Sequence, residues 1–165
     1  IKAAYDSTGI TGLGNETITV SDTGTISSQD LNDLNDLTTG VVTVSAVSTI
    51  SGSLAEIVDS YSTDNISGVI TGLSNEAITI TDTGSVSAAD LITVTTAATG
   101  TTGTVTANDV TAISGTYSDI TSAYGAGIVG LGDEAITSTD SVTVAEANAL
   151  DLLTSGVITA NISTM

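Results

Sequence analysis

The sequence predicts a mainly β chain with short helices: a repeat β-solenoid of the parallel β-helix type, with helices at its corners. Three observations carry this expectation. A seven-residue motif recurs in register, as ITGLGNE at Ile10–Glu16, ITGLSNE at Ile70–Glu76 and IVGLGDE at Ile128–Glu134, with spacings of 60 and 58 residues. Between the motifs, Ile and Val alternate with Thr and Ser, the period-two pattern of a strand with one buried face. Each half of the repeat also carries a Ser or Thr three residues ahead of an acid, the signature of a helix start. A half-repeat of roughly 24–36 residues cannot bury its apolar face alone, so stacking is expected. A row of separate small α+β or sandwich domains, one per repeat, is the alternative.

Taken in order, Ile1–Tyr5 aligns with Ile57–Tyr61 and Ile120–Tyr124, so the chain is expected to open inside a helix. Thr17–Val20 reads as a strand. SDTGTIS (Ser21–Ser27) then leads to the Ser27/Asp30 cap and a helix over Ser28–Leu37, with Leu31, Leu34 and Leu37 as its stripe. Val41–Ser45 is a strand, and Ser53/Glu56 starts the helix Leu54–Tyr61. The second repeat restates these elements: strand Ala77–Thr81, the match TDTGSVS (Thr81–Ser87), the Ser87/Asp90 cap and strand Thr104–Ala107. Its Thr116/Asp119 cap precedes the helix Tyr117–Tyr124. TVTANDVTAISG (Thr104–Gly115) matches VVTVSAVSTISG (Val41–Gly52). In the third repeat a degenerate STDSVT (Ser138–Thr143) leads to the Thr143/Glu146 cap, a helix Ala145–Leu153 bearing Ala149, Leu150 and Leu153, and a strand Val157–Ala160.

At each cap the hydroxyl accepts from an unpaired N–H near the helix start, and the acid faces the positive end of the helix dipole. Helices of two or three turns are marginal alone and must be held by packing. Gly12, Gly24, Gly40, Gly72, Gly84 and Gly100 mark bends. The whole chain, 1–165, is expected to be one array of about 2.75 copies of a ~60-residue repeat: a partial 1–5, then 6–61, 62–124 and a partial 125–165. ITANISTM (Ile158–Met165) matches Val42–Thr49, so an excerpt of a longer array is expected.

Composition narrows function. Of 165 residues 19 are acidic and Lys2 is the one Lys or Arg, giving a net charge of -18; Pro, Cys, His, Trp and Phe are absent. Nucleic-acid binding needs cations against phosphate, so no nucleic-acid partner is expected. Without His or Cys there is no Ser-His-Asp triad, no thiolate nucleophile and no ordinary zinc or copper site. Thr (32) and Ser (21) make up nearly a third of the chain, yet 40% of residues are hydrophobic and the mean hydropathy is +0.38, too apolar for a disordered acidic tail. The apolar runs are too short to span a membrane, and no basic region followed by an apolar stretch opens the chain as a signal peptide would.

Calcium is the cofactor the acids favour. Glu16, Glu76 and Glu134 recur before a strand and Asp22, Asp82 and Asp140 after it, hard oxygen ligands once per repeat, as an extracellular calcium module would use. The GGxGxDxUx ladder and the EF-hand loop are both missing. The plainer reading of Asp-Thr-Gly is a β-turn in which Asp bonds its own backbone and Gly takes positive φ, with cations held only diffusely. Thr17/Thr19, Thr79/Thr81, Thr104/Thr106 and Thr137/Thr139 form T-x-T pairs, the device of ice-binding faces, although Thr also suits any exposed strand position. Paired carboxylates can serve glycoside cleavage, but aromatic platforms are lacking: Tyr5, Tyr61 and Tyr124 share one repeat position and read as helix-end packing, leaving Tyr117. No catalytic residue is expected. The sequons at Asn15, Asn65 and Asn161 follow from the Ser/Thr content.

At ITGLGNETITVSDTG, SVSAADL and AISGTYSDITSAY the chain resembles the tandem repeats of giant extracellular and cell-surface proteins of marine cyanobacteria, some of which carry RTX-like calcium-binding segments. The resemblance covers nearly the whole chain through low-complexity Thr/Ser/Asp-rich motifs. It implies an extracellular or cell-surface location, a structural role as spacer, coat, filament or motility-layer element, and no catalytic residues. Neighbouring repeats, and lateral self-association into a filament or layer, are the expected partners. An adhesin-type module binding glycan or ice through Thr-rich strand faces is the alternative, for which loop insertions around Ser60–Gly68 and Thr93–Gly103 would be the departures from the repeat.

Overall fold

The computed structural model describes residues 1–62, 69–98 and 103–163. Along the chain the elements are α1 (Lys2–Tyr5), β1 (Ile18–Val20), β2 (Thr25–Ser27), α2 (Ser28–Asp36), β3 (Val41–Val44), β4 (Thr49–Gly52), α3 (Leu54–Tyr61), β5 (Val69–Thr71) and β6 (Ala77–Ile80). They continue as β7 (Ser85–Ser87), α4 (Ala88–Ala97), β8 (Val105–Thr106), β9 (Ala112–Gly115), α5 (Tyr117–Gly125), β10 (Ala135–Val142), α6 (Val144–Asp151) and β11 (Ile158–Ile162). Of the loop insertion expected around Ser60–Gly68, residues 63–68 lie outside the described residues, as do Asn65 and Gly100; of the one expected around Thr93–Gly103, residues 99–102 lie outside them, whereas Thr93–Ala97 are not loop but the end of α4.

The expectation of a mainly β solenoid is corrected. The fold is α/β, with helix and strand in about equal measure, and its strands form three separate small parallel sheets ordered β1-β3-β5, β2-β4-β6-β8 and β7-β9-β10-β11. The row of separate domains fails as well, because β6 pairs with β4 and β10 with β9, across the expected repeat boundaries. Helix content was underestimated for a physical reason. Helix α4 reads AADLITVTTA, rich in the β-branched residues that favour strands, yet the Ser87 hydroxyl caps it and Leu91 and Val94 bury completely. Capping and tertiary packing outweigh differences of a few tenths of a kcal/mol per residue in propensity.

Parallel pairing in register places like residues beside like. Ile50 pairs with Ile26 and Ile78, and Ile113 pairs with Val86 and Ile136. Ile50, Ile78, Ile113 and Ile136 are fully buried, so each row is a continuous apolar ridge. Burying one such side chain contributes about 1.5–3 kcal/mol, and truncating one to Ala costs about 2–5 kcal/mol. Helices α2, α3, α4 and α5 pack in succession and close over the core. In β10 the register shifts between Thr137 and Ser141, a bulge that leaves Asp140 half-buried.

The expected caps form at all five helices from α2 to α6. Only Ser53/Glu56 and Thr143/Glu146 close the full box, because Glu reaches back to the cap N–H. The leucine stripe of α2 is partly corrected: Leu31 is buried, Leu34 and Leu37 are half-exposed, and Asn35 buries instead. Gly24 and Gly84 are not at positive φ; Gly12, Gly72 and Gly130 of the seven-residue motif are. The positive-φ turn expected of Asp-Thr-Gly is therefore corrected.

Candidate functional site

The recurring Glu is the hub of a polar latch built three times. Tyr5, Tyr61 and Tyr124, at or near the ends of α1, α3 and α5, donate their hydroxyls to Glu16, Glu76 and Glu134 at 2.9, 3.3 and 2.8 Å. The loop ahead of each Glu folds back so that its amides point at the same carboxylate. Gly14 donates to Glu16 at 2.8 Å, Ser74 and Asn75 to Glu76 at 2.8 and 3.1 Å, and Gly132 to Glu134 at 2.8 Å. Positive φ at Gly14 and Gly132 aims those amides, a backbone state that a side chain would resist. The tyrosines thus do more than pack a helix end: each ties its helix to the loop ahead of a later strand, β1, β6 or β10.

A second chain segment closes the latch from the other side. Thr38 Oγ1 donates to the Glu16 carbonyl at 2.7 Å and accepts from Gly40 N–H at 3.0 Å; Thr154 and Gly156 repeat this on Glu134 at 2.7 and 2.9 Å. A Cβ at Gly40 or Gly156 would overlap the Glu16 or Glu134 carbonyl, and one at Gly103 would crowd Glu76, so glycine is required by close backbone approach. Sequence reasoning missed these residues. The signal was present as Thr-x-Gly at Thr38–Gly40, Thr101–Gly103 and Thr154–Gly156.

The environment grades across the copies. Glu134 is fully buried, Glu76 is 5% exposed and Glu16 is half-exposed. The Gly14 amide, aided by the Tyr5 hydroxyl, holds the Glu16 carboxyl below its usual range despite some desolvation. Burial, and then the adjacent carboxylate, pushes the Tyr61 and Tyr124 phenols well above their ordinary value; Tyr5 moves the same way. These phenols keep their protons at neutral pH and serve as donors to an anion, a charge-assisted arrangement.

The post-strand aspartates act elsewhere. Asp82 accepts from Leu54 N–H, the first amide of α3, at 2.7 Å, and Asp140 accepts from Tyr117 N–H of α5 at 3.0 Å. Each lies more than twenty residues after the helix amide it bonds, so it reaches an earlier helix, and Asp140 accepts from the neighbouring Ser138 hydroxyl as well. The Ser138 hydroxyl, at 2.6 Å, and then the Tyr117 amide hold the Asp140 carboxyl below its usual range. Asp22 is exposed.

The structure does not bring the six calcium candidates together. Glu16 and Asp22 lie off opposite ends of β1, whose three residues alone span about 10 Å, and β6 separates Glu76 from Asp82 in the same way. Among the described residues no group of three or more His, Cys, Asp or Glu side chains is placed to hold a metal ion. The T-x-T pairs are also dispersed. Thr19 is in the first sheet, Thr79 and Thr106 are in the second and Thr137 is in the third. Asn15 and Asn161 are exposed. Among the described residues no helix is long and apolar enough to cross a membrane. Set against models of known families, curated proteins and solved structures, the chain has no match.

Proposed function

We propose that the chain is a structural repeat segment of a secreted or cell-surface protein, serving as a spacer or as an element of a coat, filament or motility layer. The observation that supports this reading is the threefold latch. Glu16, Glu76 and Glu134 each accept from a tyrosine and from their own loop. The same polar groups do the same holding work in each repeat, as a load-distributing element requires. Surface location rests on the resemblance at ITGLGNETITVSDTG and its repeats. A net charge of -18 keeps such a surface hydrated.

Antibodies raised to this chain test the reading directly. They are expected to label intact, unpermeabilised cells of the source organism, and the purified chain is expected to bind no glycan on an array and to leave ice growth unchanged. Labelling only after permeabilisation would refute the surface reading. Saturable binding to one glycan class, or ice shaping, would replace the spacer with the adhesin.

A further inference from the structure

The outer face of the sheet β1-β3-β5 takes no part in the latches or the caps. In-register pairing sets Thr19, Thr43 and Thr71 in one row across the three strands, and Val41 beside Val69 in the next. Ile18, Val20, Val42 and Val44 are buried in the core, so the residues that alternate with them face away from it. Val41 is 40% exposed and Val69 42%, and Thr19 and Thr71 are exposed as well.

Two observations set this face apart. The valines depart from the repeat: the match of Val41–Gly52 with Thr104–Gly115 puts Thr104 in place of Val41, and the seven-residue motifs put Gly127 in place of Val69. In the second sheet the row before the buried isoleucines is Thr25, Thr49 and Ala77, without a valine. The face is also uncharged. Helices α2 to α6 each carry one to three acids, whereas β1, β3 and β5 contain no ionisable residue in a chain of net charge -18. Short β-branched side chains on paired strands are what packs against a second sheet, about 10 Å away, in a sandwich. A basic partner would be drawn to the acidic helices instead. A second copy of this chain brings both a sheet of the same spacing and a face where like charges do not meet.

We propose that the outer face of β1-β3-β5 is a two-fold contact between two copies of this chain, in which the Val41 and Val69 rows of the two sheets pack against each other. It rests on the reading of the chain as an element of a coat, filament or layer, and gives that element its lateral partner. A two-fold contact sets the same face on itself and closes at the dimer. Five short side chains cover far less than the roughly 800 Å² per partner of a stable interface, so the contact is weak. Two copies of net charge -18 also repel until salt screens them, so ionic strength sets the association.

Sedimentation velocity of the whole chain over a concentration series tests this, at about 0.01 M and about 1 M salt, between which the screening length falls from roughly 30 to 3 Å. Monomer at low salt and a monomer–dimer equilibrium at high salt are expected. Val41→Thr combined with Val69→Thr keeps β-branching and adds no charge, and is expected to raise the dissociation constant by roughly tenfold. Val69→Glu is expected to abolish the dimer, and Thr25→Glu, on the second sheet, to leave it in place; melting curves by circular dichroism check that each variant folds. A monomer at every concentration and salt overturns the proposal. So does growth beyond the dimer, a dimer indifferent to the paired Val→Thr change, or one weakened equally by Thr25→Glu. Each of these results leaves the labelling of intact cells, and with it the surface reading, standing on its own.

Discussion

Replacing Tyr124 with Phe deletes one hydroxyl and leaves the ring that packs at the end of α5. The hydroxyl is 2.8 Å from a Glu134 carboxylate that is fully buried, and among the described residues the other donor to that carboxylate is Gly132 N–H at 2.8 and 3.1 Å. The carboxylate stays out of water in the variant, so the cost is that of a charge-assisted bond lost inside the protein, about 2 kcal/mol. In a chain of this length that lowers Tm by about 4–8 °C. Urea melts followed by circular dichroism measure the loss, and a double-mutant cycle with Glu134→Gln assigns it to the pair. The three copies sharpen the test. Tyr61→Phe, facing the nearly buried Glu76 over 3.3 Å, is expected to cost less than Tyr124→Phe, and Tyr5→Phe, facing the half-exposed Glu16, least of all. Equal losses in the three variants, or the largest at Tyr5, would refute burial as the source of the latch's strength.

Four further outcomes follow from the same geometry. Gly156→Ala is expected to cost several °C of Tm by pushing a methyl into the Glu134 carbonyl, whereas Gly24→Ala, with open space and no positive φ, is expected to change it little; equal effects would remove the close-approach argument. Asp140 has a folded-state pKa below its ordinary 3.8, so its contribution is complete above that value and is lost as pH falls through the depressed one. The stability gap between wild type and Asp140→Asn should therefore be flat at neutral pH and close on acidification, and a gap that widens in acid contradicts the assignment. Tyr61 and Tyr124 have folded-state values raised above 10.0, so their contribution is present below that pH and is lost as pH rises through the raised value; absorbance titration at high pH should show them ionising late. Because Glu16, Glu76, Glu134, Asp82 and Asp140 already accept from internal donors, calcium and magnesium at matched ionic strength are expected to raise Tm alike by screening the net charge of -18; a calcium-specific rise would restore the six acids as ligands.

Much of this was legible in the sequence because it is local. A cap needs only a hydroxyl and an amide three residues apart, so Ser27, Ser53, Ser87, Thr116 and Thr143 could be read directly, and α3 falls on Leu54–Tyr61 as expected. The repeat also placed Tyr5, Tyr61 and Tyr124 at one position and Glu16, Glu76 and Glu134 at another, without indicating that the two sets meet. That meeting depends on how the chain returns after each helix, which no short window contains. Tertiary structure alone decided that Asp82 and Asp140 reach back to earlier helix amides, that Gly40 and Gly156 lie against a carbonyl more than twenty residues away, and that strands pair across the repeat boundaries. It also decided the balance of helix and strand. A run such as α4's has nearly equal local preference for either state, and burial of Leu91 and Val94 settles it.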